Sequence, residues 1–486
     1  MSNISALEPQ NLWKNFDQLN AVPRPSKKEE RVIAFAKQFG ESLGLVTMVD
    51  EIGNVIIKKP ATPGMENRKK IVMQSHLDMV HQKNSDTEFN FDTEGIRMLV
   101  EGDWVKADGT TLGADNGIGV AAIMAILEST DIPHPEMEAL FTIDEETGMT
   151  GALELKPGML SGDILLNLDT EEDNELTIGC AGGIDITAKG SYNEKPMPSG
   201  NYRFMILSVS GLNGGHSGMD IHKGLGNANK IMNRILRELI LPLDVKVNRI
   251  DGGGLRNAIP RESFCMLAVE ELDLERFKQI FDEQATIISE EYYFTDSELR
   301  IIHEEIDPFD TYVDSRWLKK FIKAIYACPS GIYRMHPEIE GLVQTSNNLA
   351  RVLVQNGSSQ VLCLTRSSLE TEKKDIMNAI QSIFELIDFS IGFSGNYPGW
   401  TPKRGAKIVR VMEGLYKEMF EGEMHVAACH AGLECGIIGK HYPNMEMVSF
   451  GPNIRGAHSP DERVQISSVQ KFWNYLLAVL RNIPEK

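Results

Sequence analysis

Basic residues are in short supply. The 486-residue chain carries 49 Lys and Arg against 69 Asp and Glu, a formal net charge of -20 at pH 7. That surplus of acid excludes the basic face on which nucleic-acid binding depends. Long apolar runs are missing too. None approaches the roughly 18 uninterrupted apolar residues of a membrane span. The opening MSNISALEPQ has no basic start followed by an apolar run, which argues against a secretory signal peptide. Cysteine is scarce: six residues, none in a CxxC pair, so no disulfide framework is expected. A reduced, cytoplasmic setting fits best. No block of like charges marks a disordered tail.

What remains is a globular composition, 42% hydrophobic and 24% charged. The length exceeds what one core usually serves, so at least two domains are expected. Early in the chain, strand-like and helix-like segments alternate. Residues 26–44 read as a helix opened by a Ser26 cap. Residues 53–60 and 69–80 read as strands, 117–129 as a helix, and 139–144 and 162–169 as strands. This is the pattern of an α/β domain whose sheet is flanked by helices. After GCAGG (179–183) the character changes to what reads as two antiparallel α+β units, without a clear internal repeat. FSGNYPGWTP (393–402), rich in Gly and Pro, reads as the end of this insertion. A helix–strand–helix pattern then resumes. The expected organisation is a catalytic domain built from 1–185 and 397–486, interrupted by an inserted α+β lid and dimerisation domain at 186–396.

The informative residues are acids and histidines near strand ends. QSHLD places His76 and Asp78 two apart, on one side of an extended chain. Asp115 lies in LGADNGIG, in a Gly-flanked turn before a helix. Glu145 and Glu146 follow the strand at 139–144, Asp169 ends the next strand, and His458 lies in the loop GPNIRGAHSPDE. Such positions are where open α/β sheets bind ligands. Each residue alone is weak evidence. A loop His is ordinarily solvated, and an Asp at a strand end is ordinarily a turn residue or helix cap. Their joint order carries the argument. Two imidazoles and three carboxylates suit zinc, with manganese or cobalt as alternatives. A bridging carboxylate can hold two ions about 3.5–4 Å apart.

The motifs HLD, GADNGIG, DEETG, NLDTEE and AHSPDE resemble, in order, those of the co-catalytic zinc peptidase family that contains aminoacylase and carnosinase. GLNGGHSGMDIH (211–222), HAGLECG (430–436) and the long insertion are similar to its bacterial aminoacyl-histidine dipeptidase branch. The resemblance implies two divalent metal ions per subunit. Asp115 would bridge them, with His76 and Asp169 completing one site and Glu146 and His458 the other. Glu145 would be the general base, and Asp78 would hydrogen-bond His76 and fix its tautomer. The peptide after Asp115 is often cis in this family. His216 would stabilise the developing oxyanion, often across a dimer interface. Asn257 and Arg366 would bind the substrate's backbone or C-terminal carboxylate, and Glu434 would organise the active-site wall or help recognise the substrate's amine. Because neighbouring residues of an extended chain face opposite ways, Glu145 and Glu146 require a bend, expected at Thr147-Gly148. Asp144 has no role in this scheme and reads as a strand-end or solvent-facing residue. The expected activity is hydrolysis of unblocked dipeptides, including Xaa-His. A deacylase of N-acylated amino acids shares the same metal core, and a binding protein without activity is disfavoured because every ligand and the base are present. His430 and the remaining histidines have no assigned role. A homodimer through the insertion is expected, with neither nucleic acid nor membrane as partner.

Overall fold

The structure, a computed structural model, describes residues 4–486. The chain divides into two compact units. One comprises the described residues up to Gly179 with Trp400–Ala428 and Leu433–Lys486. The other comprises Cys180–Gly399 with Cys429–Gly432. The second unit's return to Cys429–Gly432 leaves no mark in the sequence pattern. The architecture is α/β, as the alternation of segments implies.

The first unit is organised on an eight-stranded sheet. Its spatial order is Val46–Val49, Val55–Lys59, Met137–Thr142, Ile71–His76, Ile164–Asn167, Glu446–Ser449, Glu175–Cys180 and His425–Cys429. Met137–Thr142, Ile71–His76, Ile164–Asn167 and Glu446–Ser449 run parallel to one another, so their C-terminal ends share one edge. Met137–Thr142, Ile71–His76 and Ile164–Asn167 are buried at every position, including their polar residues Glu138, Thr142, Gln74, Ser75, His76 and Asn167. The helix Ala114–Glu128 packs on Ile71–His76 and on the helix Gln10–Asn20. All its residues but Asp115 and Glu128 are buried, as expected of a helix apolar on every side. A smaller sheet orders Ile454–Arg455, Arg463–Gln465, Trp104–Ala107 and Met98–Glu101. It sets the 456–462 loop beside the segment that enters the central helix.

The second unit holds a nine-stranded antiparallel sheet. Its order is Arg300–Glu305, Tyr202–Ser210, Ser263–Glu270, Lys246–Gly253, Val343–Gln355, Ser358–Ser367, Gly182–Ser191 and Ser390–Tyr397, with Gly331–Met335 paired to Val343–Gln355. Helix residues Ile235, Leu239, Phe277, Phe321 and Phe384 share its core. Two sequence expectations change here. The insertion is one continuous sheet rather than two α+β units, because Lys246–Gly253 pairs with Val343–Gln355 and joins the two halves. The segment expected to close the insertion is partly strand, since Ser390–Tyr397 pairs with Gly182–Ser191. A third change concerns Ser26. The helix starts at Glu30 without a side-chain cap, and the Ser26 hydroxyl donates to Asp78 Oδ2 at 2.8 Å.

The central helix leaves no room at Gly119, where a Cβ would lie 2.4 Å from Ser75 Oγ and 2.8 Å from the Leu168 carbonyl oxygen. Helix propensity favours Gly119→Ala by about 1 kcal/mol, but the backbone contact cannot yield cheaply. The expected outcome in urea unfolding is a net loss of about 1–3 kcal/mol from overpacking. A stabilised variant would contradict this packing.

Candidate active site

The shared C-terminal edge of the parallel strands gathers the candidate residues. His76 is the last residue of its strand. Asp144 to Glu146 follow Thr142, Asp169 follows Asn167, and His458 lies in the loop after Glu446–Ser449. Asp115 arrives from the small sheet, in the first turn of the central helix, and its peptide bond to Asn116 is cis.

The structure brings all five candidate ligands together. His76 Nε2 lies 3.2 Å from Asp115 Oδ1 and 3.5 Å from Asp169 Oδ1. His458 Nε2 lies 3.3 Å from the other oxygen of Asp115 and 2.9 Å from Glu146 Oε2. Asp115 therefore presents one oxygen to each imidazole. Ligand-type atoms of His76, Asp115 and Asp169, and separately of Asp115, Glu146 and His458, lie within 4.8 Å of one another. Glu146 Oε1 and Asp169 Oδ1 are buried without a hydrogen-bond partner. Carboxylate lone pairs with no proton to accept, beside imidazole nitrogens, fit divalent cations.

Electrostatics follow from burial and crowding. Burial alone would raise Asp115, but hydrogen bonds from His458 and His76 outweigh it and hold the carboxyl below the usual range. Hydrogen bonds to Asp115 and Glu146 push His458 up to about 11. Burial lifts Asp169 to about 6. Glu145 is raised well above an ordinary glutamate by burial, reinforced by repulsion from Asp169, Glu434 and Glu146. A carboxylate with raised proton affinity beside a cation-type site is suited to proton transfer.

The bend at DEETG differs from expectation. It lies before the pair, at Asp144, whose φ of 53° is left-handed, and Glu145–Gly148 forms a helical turn. Nor is Asp144 solvent-facing. It is buried, and it takes bonds from Lys27 Nζ and from the hydroxyls of Thr147 and Thr150. Asp78 has contacts beyond His76. His76 Nδ1 lies nearest its backbone carbonyl, at 3.1 Å, with the carboxylate at 3.4 Å. That carboxylate also accepts from the backbone N–H groups of Glu145 at 3.0 Å and Glu146 at 3.3 Å. Asp78 thus orients both the His76 loop and the Glu145–Glu146 turn. Glu434 is fully buried, accepts from Gln74 at 2.6 Å and Thr142 at 2.7 Å, and is lifted by burial to about 8.

In the second unit, Gly215–His216 pairs with Ala258–Ile259, and the Asn257 carbonyl accepts from the Ser217 N–H at 2.7 Å. His216 and Asn257 are thereby neighbours. His216 Nδ1 accepts from the N–H groups of Gly218 and Met219, so the neutral ring carries its proton on Nε2, as a donor. Burial, then the charge of Arg366, lowers its affinity for a second proton. Arg366 is buried, and its guanidinium reaches His216 Nε2 at 3.5 Å and the Tyr397 hydroxyl at 2.8 Å. Among the described residues no carboxylate forms an ion pair with it. Sequence reasoning passed over Ser26, Lys27 and Tyr397, for which no local pattern exists, and over Glu462, which lies inside the quoted motif AHSPDE.

Comparison with known proteins identifies the family and the fold. The family profile described as peptidase family M20/M25/M40 matches residues 72–482. The chain is 39% identical over 486 residues to the cytosol non-specific dipeptidase of Escherichia coli (strain K12), covering all of both chains. It superposes on the aminoacylhistidine dipeptidase from Vibrio alginolyticus with a TM-score of 0.95 and 43% identity, covering 100% of this chain and 99% of that one. The fold extends to aminopeptidase PepT from Bacillus cereus, with a TM-score of 0.58 at 15% identity over 98% of this chain and 99% of that one.

His430 is a buried imidazole with a lowered proton affinity. Its Nε2 lies 2.7 Å from Ser346 Oγ, and burial, then the charge of Arg366, pushes the imidazole down to about 3. The unfolded chain takes up this proton near pH 6.5 and the folded one does not, so stability falls as pH drops from about 6.5 toward 3. Urea unfolding of cation-free protein between pH 7 and 5 should show a shallower fall for His430→Gln than for the wild type. Equal slopes would remove His430 from the acid response.

Proposed function

The chain belongs to peptidase family M20/M25/M40, and on that footing we propose that it hydrolyses unblocked dipeptides, including Xaa-His. The observation that carries the reading is Asp115, one oxygen toward His76 and the other toward His458. In this reading Asp115 would help to hold two divalent cations, zinc with cobalt or manganese as alternatives. His76 and Asp169 complete one site, and Glu146 and His458 the other. The cations, when bound, polarise the scissile carbonyl and make water acidic enough to attack near neutral pH.

The chain's own groups do the rest. Glu145 takes a proton from the attacking water and returns it to the leaving amine. Asp78, through the N–H groups of Glu145 and Glu146, keeps that base and its neighbouring ligand in register. The Nε2–H of His216 donates to the developing oxyanion. Arg366 and Asn257 receive the substrate's carboxylate end, and Glu434 its amine. The buried guanidinium of Arg366, whose side-chain hydrogen-bond acceptor is the neutral phenol of Tyr397, supports an anionic ligand there. The insertion acts as lid and dimer interface in a cytoplasmic homodimer.

Glu145→Ala should retain cation binding and lose about 10²–10⁴-fold in kcat, checked by metal analysis beside steady-state kinetics. Turnover near the wild-type rate would remove Glu145 as the base. A panel of free-amine dipeptides against N-acetyl amino acids should give activity on the dipeptides, and preference for the acylated series would make the protein a deacylase. Light scattering of active protein should return the dimer mass, and an active monomer would end the dimer reading.

A further inference from the structure

The loop that carries Asp115 is held from a distance. The central helix has Gly113 at its N-cap, with φ 70°, and no side-chain cap of its own. The first N–H groups of a helix lack partners within it. Here the Glu462 carboxylate supplies them, accepting from Leu112 at 2.7 Å and Gly113 at 2.9 Å through Oε2, and from Ala114 at 2.7 Å and Asp115 at 3.2 Å through Oε1. The left-handed turn at Gly113 makes these amides converge on one anion. Glu462 lies four residues after His458 in the same 456–462 loop, between the paired strands Ile454–Arg455 and Arg463–Gln465. One buried side chain therefore sets Asp115 relative to His458.

A buried cation answers it from the other side. Arg24 donates to the Gly113 carbonyl at 2.6 Å, to the Leu77 carbonyl at 3.0 Å and to the Asp78 carbonyl at 3.1 Å. The Gly113–Ala114 peptide is thus gripped at its oxygen by a guanidinium and at its N–H by a carboxylate. Through Arg24 the turn after His76 joins the same assembly. A Cβ at Gly113 would lie 2.5 Å from the Arg24 guanidinium, and one at Gly117 2.7 Å, so both glycines make room for it. Neither Arg24 nor Glu462 is among the five candidate ligands, yet together they join the loops of His76, Asp115 and His458.

We infer that Glu462 is a positioning residue that fixes the loop of Asp115 against the loop of His458, so that the divalent-cation site is preformed. The inference rests on the reading of Asp115 and His458 as ligands. Glu462→Gln replaces one acceptor oxygen with an NH₂ that faces two backbone donors, so two of the four bonds are lost and the loop must shift.

The test is Co(II) titration of metal-stripped wild type and E462Q, followed by visible absorption, with urea unfolding of both cation-free proteins alongside. The expected result is about a 10- to 100-fold loss of affinity for at least one Co(II), with a changed absorption band. Dipeptide KM at saturating Co(II) should stay at the wild-type value. A role in folding alone would lower the unfolding midpoint and leave affinity and band unchanged, which overturns the inference. If wild type itself binds no Co(II), the ligand reading fails first. If wild type binds and E462Q matches it, only the positioning role fails. Should E462Q not fold, Glu462→Asp keeps the charge on a shorter arm. It should lose affinity in the same direction, and wild-type affinity in E462D overturns the inference equally.

Discussion

Asp115 must point its two oxygens in two directions and stay there. A side chain with only two rotatable bonds cannot be steered into such a position by its own contacts, so the backbone beneath it must be fixed. Most of the first unit can be understood from that requirement. The buried central helix provides a rigid base behind Asp115, and parallel strands bring His76 and Asp169 to the same edge. The small sheet returns the His458 loop beside the helix entrance, so His458 reaches the oxygen that His76 does not.

Crowding of acids is the cost of this arrangement. Glu145, Glu146, Asp169 and Asp115 stand close together, and burial and their acidic neighbours raise the proton affinities of Glu145 and Asp169. Protein groups offset part of it. Two imidazoles sit between the carboxylates, and Arg24 lies behind them, its charge felt by Asp78, Asp115, Glu146 and Glu462. The helix N-terminus adds a partial positive charge. The orphaned oxygens of Glu146 and Asp169 mark where protein donors end and where cations would complete the balance.

How much of this was legible in the sequence follows from the distance over which each feature is encoded. The motifs HLD, GADNGIG, DEETG, NLDTEE and AHSPDE are local, and each places its residue at a strand end or a turn that periodicity alone can find. The α/β alternation is local too. The joining of the insertion into one sheet is not, because Lys246–Gly253 meets Val343–Gln355 across about 100 residues with no sequence signature of pairing. Asp144 was misread because a non-glycine residue in the left-handed region is uncommon, and its partners Lys27, Thr147 and Thr150 come partly from far upstream. Ser26 looked like a helix cap because capping is the usual task of Ser before an apolar run. Its hydroxyl was already committed to Asp78.

The second unit poses the complementary electrostatic problem. Two of its other arginines are neutralised within the fold, Arg256 by Asp185 at 3.3 Å and Arg351 by Asp251 at 2.9 Å. Arg366 is more buried than either, and its side-chain hydrogen-bond acceptor is a phenol hydroxyl. A buried cation left with neutral partners is unfavourable for folding alone, since desolvation is not repaid by a counter-charge. The same geometry is favourable for binding, because a carboxylate entering there meets a donor already stripped of water and held in place. His216 extends the logic. Two backbone N–H groups occupy its Nδ1, the ring is kept neutral, and a single oriented Nε2–H remains to be given. Donors fixed before the substrate arrives need no reorganisation as charge develops, which is the form of stabilisation that lowers a barrier rather than merely tightening a complex.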